Sequence, residues 1–175
     1  MSENTNKTLF TDTVVSVKRV TKVTKGGKRF TFSAMVVSGK PSDEPSVGLV
    51  GMGSGKSRDA ASAIAKATAR ARKNLIEISI RGTTLPYNVE GRHGATSVVL
   101  RSAYQGTGLI AGSGVSAVMK ALGVKDVLAK TIGSSNGINV VKATLNALAK
   151  CRSAKRIAQL RGKTITEIVK GANHA

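Results

Sequence analysis

Tryptophan is absent, aromatic residues make up 3% of the chain, and Cys151 is the only cysteine. One cysteine excludes an intrachain disulfide and suits a reducing cytoplasm. With only His93 and His174 beside it, none of the paired ligand spacings of a zinc site occurs, so neither metal nor cofactor is expected. No apolar run approaches the roughly 18 residues of a spanning helix, which argues against a membrane partner. The opening "MSENTNKTLF" lacks the charged-then-apolar layout of a signal peptide. Acidic residues are the other scarcity. Nine Asp and Glu face 28 Lys and Arg, a net charge of +19. Such an excess repels itself in a compact state and points to a polyanionic partner, nucleic acid above all. At 41% hydrophobic residues, the 175-residue chain still has material for packed cores.

Residues 1–12 are polar and read as a flexible N-terminus. "TVVSVKRVTKV" and "RFTFSAMVVS" are β-rich runs around "TKGGK", and Gly26-Gly27 marks a hairpin turn with positive φ at its centre. Phe30, Phe32, Ala34 and Val36 alternate onto one face. "KRFTF" is similar to the base-stacking strand of an RNA-recognition motif but lacks its third aromatic and its glycine. With five aromatics in the chain, both rings are assigned to the core and stacking is the minor reading. "GKPSDEPS" reads as a loop and "VGLVGM" as a third strand. From Arg58 to about Asn74 an alanine-rich helix puts Ile64, Ala67, Ala71 and Leu75 on one face and Lys66, Arg70 and Lys73 on another. "LIEISI" and "RGTTLPY" form a join, with a boundary near residue 79. Beyond it, strand, glycine-rich turn, helix, strand, turn and helix follow in order, which implies a small sheet with helices on one side. The tail from Arg152 is basic, with a short helical pattern near "TITEIVKG".

Two motifs suggest enzymes. "GLVGMGSGKS" (Gly48–Ser57) ends like a phosphate-binding loop, but G-x-x-x-x-G-K-[ST] requires glycine at position 50, which is Val50. A G-x-G-x-x-G fingerprint fails at Lys56, and Asp126 lies inside "VKDVL" rather than at a strand end suited to magnesium. The expected role of these glycines is a tight turn from strand into basic helix. "GSSNG" (Gly133–Gly137) fits G-x-S-x-G, with Glu167 and His174 following in hydrolase order. About 40 residues after Ser135 are too few for a hydrolase sheet, so Ser and Asn here read as helix caps. "GRHGA" offers His93 as a phosphate or sugar contact, or a packed turn residue, rather than a general base.

"VTKGGKRFTFSA" (23–34), "VGMGSGK" (50–56), "AIAKATARARKNL" (63–75), "GRHGATSVV" (91–99) and the long "GTGLIAGSGVSAVMKALGVKDVLAKTIGSSNGINVVKATLNAL" (106–148) appear in an order that resembles the bacterial small-subunit ribosomal protein S-five family. The likeness covers about residues 13–170. It implies an α+β chain: a double-stranded-RNA-binding-like domain of three strands and a packed helix over 13–78, then a C-terminal α/β sandwich over 79–151 and a basic tail over 152–175. The sandwich type also occurs in small-molecule kinases, which accounts for the phosphate-loop look of "GTGLIAGSG" without implying kinase activity. The resemblance further implies a non-enzymatic structural role in the small subunit. Its partners would be small-subunit rRNA, ribosomal proteins S-four and S-eight, and mRNA near the entry channel, without homo-oligomerisation. The loop Lys25-Gly26-Gly27-Lys28 would touch rRNA near the spectinomycin site, and Gly108 would lie at the S-four interface. A cytoplasmic ribosome is implied, an organellar one being disfavoured because no transit peptide is evident. The loop "SGKPSDEPSVG" is longer and more acidic than the family's compact form, and Ser54 stands where an aromatic is common. Glu90, Ser97 and Ser116 hold positions that are often basic, so no contact is carried onto them.

Charge alone assigns RNA contact to Lys18, Arg19, Lys22, Lys25, Lys28 and Arg29 on the hairpin, and to Lys56, Arg58, Lys66 and Arg70 on the turn and helix. Gly26 and Gly27 join them as residues whose missing side chains permit the turn and a close approach. The rival classes are a nucleotide-binding phosphotransferase or NTPase using a glycine turn, and a free RNA chaperone.

Overall fold

A computed structural model describes residues 10–41 and 46–170. Strands β1 (Thr11–Thr24), β2 (Gly27–Pro41), β3 (Val47–Ser57) and β4 (Leu75–Ser79) form an antiparallel sheet in that order, with helix α1 (Ala60–Lys73) between β3 and β4. A second sheet has the order β5-β6-β8-β7, from β5 (Val89–His93), β6 (Thr96–Ser102), β7 (Leu109–Ile110) and β8 (Val127–Gly133). Helices α2 (Ser113–Leu122) and α3 (Gly137–Leu148) pack with it, and α4 (Ala154–Arg161) and α5 (Ile165–Lys170) follow. The two-unit α+β architecture is as expected. The supposed join "LIEISI" is instead the short fourth strand, paired with β3 from Val47↔Ser79 to Gly51↔Leu75. β5 and α4 were also not anticipated; α4 starts at a Ser153 cap and stops at Gly162, whose φ is +62°.

Period-two alternation explains the middle of β2. Ala34 and Val36 face α1 in a small cluster with Ala63 and Ala67. Met35 and Val37 face the other way, into a larger cluster with Val115, Val118, Met119 and Leu122 of α2. Residues 34–39 are all buried, so this strand is covered on both faces and reads as a continuous apolar run. The larger cluster continues through Val98, Leu100, Val127, Val141 and Leu148, joining the two sheets through α2.

The stretch "GMGSGK" is not a turn. It continues β3, with Gly51↔Ser38, Gly53↔Val36 and Gly55↔Ala34 in unbroken register. Gly51, Gly53 and Gly55 share the face toward α1, where Ala63, Ala67 and Ala71 are fully buried. A Cβ on Gly53 would lie 2.0 Å from the Ala67 carbonyl oxygen, and one on Gly55 2.2 Å from that of Ala63. Glycine therefore serves here to let helix backbone approach strand backbone. The chain leaves the strand after Ser57, and Asp59 starts the helix by accepting a 3.0 Å bond from the Ser62 N–H.

The hairpin turn is displaced by one residue from expectation. Thr24 pairs with Gly27, so Lys25 and Gly26 are the two turn residues. Positive φ falls on Gly27, at +129°, while a Cβ on Gly26 meets nothing within 4 Å. These glycines thus differ sharply in what they tolerate. Gly53→Ala is expected to destabilise the fold by about 3 kcal/mol through overpacking against backbone. That corresponds to a melting temperature lower by roughly 6–12 °C. Gly26→Ala should melt within about 0.5 kcal/mol of the parent, as open surface positions do. Thermal denaturation followed by circular dichroism checks both.

Candidate nucleic-acid interface

The hairpin outgrows its sheet. β3 pairs with β2 only as far as Phe32↔Ser57, so residues 20–31 project as a two-stranded ribbon. Lys18, Arg19, Lys22, Lys25, Lys28 and Arg29 are all exposed along it. Directly opposed residues share a face. Register therefore divides the cations into two sets.

Lys18, Ser33 and Lys56 form one row across three strands, and Lys22 lies opposite Arg29 two steps nearer the tip. Four of the expected contact residues thus gather on one face. Like charges directly opposite one another destabilise a sheet. The Lys22–Arg29 pair is accordingly a local cost that an anion at this face would relieve.

The opposite face carries Val17, Arg19, Thr21 and Val23 beside Phe32, Phe30 and Lys28. Phe30 is not a core residue. It is 43% exposed, with the Arg19 guanidinium carbon 3.7 Å from its ring centroid. Phe32 is half-buried and packs at the edge of the small α1 cluster, as expected. Helix α1 lies on this same side and turns Lys66, Arg70 and Lys73 outward from its alanine face. Arg70 is partly committed already, since its guanidinium donates a 2.7 Å bond to the Ser54 carbonyl and fastens helix to strand. Arg58 is exposed just before the helix.

Arg72, not singled out in the sequence, ties α1 to the edge strand. It pairs with Asp12 at 2.5 Å, and the Ser38 hydroxyl donates to the other Asp12 oxygen. Burial pushes the Asp12 carboxyl up, but the bonds from Arg72 and Ser38 outweigh it and hold the group below its ordinary value.

The turn in "YQGTGLIAGSG" looks like a phosphate cradle and is already filled. The Gly106 and Gly108 N–H groups donate to one oxygen of Asp126, at 3.0 and 2.9 Å. Both glycines have positive φ, +92° and +78°. Asp126 is 4% exposed, and its pKa is lowered by the Thr83 side chain first and then by these N–H groups. Its carboxylate takes the place that a ligand phosphate would hold in a nucleotide loop. Gly108 itself is half-buried, at the base of this turn.

The elbow motif resolves into caps. Asn136 accepts from the Ile138 N–H at the start of α3, and Ser134 accepts from the Asn136 N–H. Glu167 accepts from the Thr164 N–H beside α5, and His174 lies outside the described residues. His93 is half-buried at the β5–β6 turn, opposite Thr96. Burial raises the Cys151 thiol to about 11, which keeps it protonated and unreactive. Among the described residues no group of three His, Cys, Asp or Glu side chains gathers to hold a metal ion, and no helix is long and apolar enough to cross a membrane.

The described residues form a basic two-unit α+β protein with a projecting cationic ribbon and a basic outer helix face. Comparison with known proteins specifies the class. The family described as "Ribosomal protein S5, N-terminal domain" matches residues 10–79, and "Ribosomal protein S5, C-terminal domain" matches residues 91–161. Proteins called "Small ribosomal subunit protein uS5" are similar over most of their length. The one from Dinoroseobacter shibae is 48% identical over 92% of this chain and 82% of its own. Those from Flavobacterium psychrophilum and Koribacter versatilis are 49% and 46% identical, covering 91% and 90% of this chain and 89% and 90% of theirs. The chain belongs to the ribosomal protein S5 family, a family of small-subunit ribosomal proteins.

Asp126 supplies the clearest structural test. Both turn bonds end on one oxygen, so Asp126→Asn is expected to keep the turn, and Asp126→Ala to release it. Amide exchange at Gly106 and Gly108 would accelerate in the alanine variant only. A carboxyl with a lowered folded pKa stabilises above its ordinary value of 3.8 and loses that contribution as pH falls. Acid melts should therefore show the parent losing more stability below that pH than Asp126→Asn does.

Proposed function

We infer that the chain is a structural component of the small ribosomal subunit that binds rRNA through the hairpin and the outer face of α1. The observation carrying this reading is the gathering of Lys18, Lys22, Arg29 and Lys56 on one face of a ribbon that stands clear of its own sheet. A-form RNA keeps its base edges in a deep, narrow groove, so basic residues on a rigid ribbon read backbone shape instead. Lysine and arginine then gain affinity by neutralising phosphates and releasing their counterions.

Lys25, Lys28, Arg58, Lys66 and Arg70 extend the contact along the tip and helix, and Gly26 and Gly27 keep the tip slim. The family likeness supports a place near the decoding centre and the mRNA entry channel, in a bacterial cytoplasmic ribosome, with a role in assembly and accuracy. It also supports ribosomal proteins S-four and S-eight as neighbours, S-four meeting the turn at Gly108. The tail and the inter-unit boundary near residue 79 follow the same plan.

An NTPase or phosphotransferase is disfavoured by the β3 register and by the Asp126 carboxylate inside the other glycine turn. A free RNA chaperone would sediment apart from subunits, whereas this reading expects co-sedimentation with them.

Affinity for small-subunit rRNA should fall by roughly 0.7–0.9 log units per log unit of salt for each phosphate neutralised. Replacing both Lys22 and Arg29 by alanine should lower that slope by roughly 1.4–1.8. It should leave the melting temperature unchanged or raised, because a like-charge pair is removed. Filter binding across a salt series, with a melt beside it, decides the matter; an unchanged slope would remove this face from the interface.

A further inference from the structure

The second face of the hairpin carries chemistry that phosphate neutralisation does not use. Val17, Arg19, Val23 and Phe30 lie on it, with Phe30 at 43% and Val23 at 72% exposure. None of the four is among the buried residues of either core cluster. A purely electrostatic ribbon has no need of an exposed ring. Nor does Arg19 behave as a free cation, since its guanidinium lies stacked over Phe30 at 3.7 Å. A stacked guanidinium gives up part of its freedom to bind phosphate end-on and gains a flat, ordered surface.

We propose that Arg19 and Phe30 form a stacking platform for one unpaired RNA base. Bases displaced from a helix stack on aromatic rings or on arginine planes, and every base has the required π-face. The occupant follows from the charge around the ring. Arg19 is on the platform itself, Lys28 lies beside Val23 on the same face, and Lys25 is at the tip. This surround suits a base attached to a phosphate backbone and opposes a basic protein segment. The proposal rests on the RNA-binding reading and adds to it. One face of the ribbon follows the duplex backbone while the other holds a nucleotide that has left it.

The test compares two RNA hairpins that differ at one position, a bulged adenosine in one and an abasic ribose in the other. The full-length chain is titrated into each across a salt series, with anisotropy as the readout, and the two RNAs are compared at matched salt. The parent is expected to prefer the bulged adenosine by at least about fivefold, the lower end of base–aromatic stacking. Phe30→Leu, which keeps an apolar side chain without the ring, should abolish the preference and leave the salt slope intact. Arg19→Lys, which keeps the charge without the plane, should reduce it. Lys22→Ala should lower the salt slope and leave the preference. A melt of each variant confirms that the hairpin remains folded. Equal, salt-dependent binding of both RNAs by the parent overturns the platform and leaves RNA binding standing, with the apolar face then assigned to a protein neighbour. Equal weakening of both RNAs by Phe30→Leu also overturns it, because the ring would then serve only the hairpin. Binding to neither RNA overturns this proposal and the RNA-binding reading together.

Discussion

The structure depends on helices lying backbone to backbone against strands. Each of the three longer helices meets a glycine on the strand it covers. Gly51, Gly53 and Gly55 face Ala71, Ala67 and Ala63 of α1; Gly39 meets Ala121 of α2; Gly91 sits against Ala143 and Ala147 of α3. At these seams a Cβ would fall within 1.8–2.4 Å of a backbone oxygen. No rotamer change relieves such a clash, because the obstacle is main chain. Dispersion falls steeply with distance, so removing the side-chain layer gives each seam close contact over a small area. That reconciles a core almost free of aromatics with a well-packed interior. The 19 glycines are in part what replaces the missing rings.

The same constraint sets up the charged surface. A helix seated flush on β3 keeps its alanine stripe inward, and its remaining faces, with Lys66, Arg70 and Lys73, go to solvent. Arg70 and Arg72 then fasten the helix at two points, to the Ser54 carbonyl and to Asp12 on the edge strand. With α1 on one face and α2 on the other, the buried middle of β2 is a fixed root for the ribbon beyond it. Such a root allows like charges to stand opposite each other at Lys22 and Arg29, since the repulsion bends nothing and only raises the local potential. Rigidity and charge are complementary here: the backbone ordering cost is met on folding, so a polyanion docking on this face would meet strands already in register.

Much of this was legible in the residues. Alternation gave β1 and β2, the alanine spacing gave α1, and the excess of positive charge agrees with membership of a ribosomal protein family. The failures share a physical origin. Glycine has two uses, positive φ and close approach, and a local window does not tell them apart. In "GMGSGK" the expectation of a turn chose the wrong one. The signal was nevertheless present: glycine at every second residue matches one face of a strand, and alanine at every fourth matches one stripe of a helix. "LIEISI" reads as a join because it is short, five residues as a strand, and follows α1 with only Asn74 between, although its partners at 47–51 lie within the expected third strand. The scarcity of aromatics and the alternation of β2 both place Phe30 inward, but neither identifies where the covering helix stops. α4 carries lysine and arginine throughout, and its signature lies in its Ser153 and Gly162 ends rather than in a stripe.

The phosphate-loop likeness of the second unit ends in the same argument about where donors point. Glycines at 106 and 108 shape a turn that turns two N–H groups toward one spot, as a nucleotide loop does. What differs is a single carboxylate, brought in from the residue before β8 and held by Thr83. An anion supplied by the chain itself makes the turn permanent rather than ligand-dependent. A scaffold needs that permanence. An enzyme needs the spot empty, so the difference between the two lies in Asp126 rather than in the glycines that first drew attention.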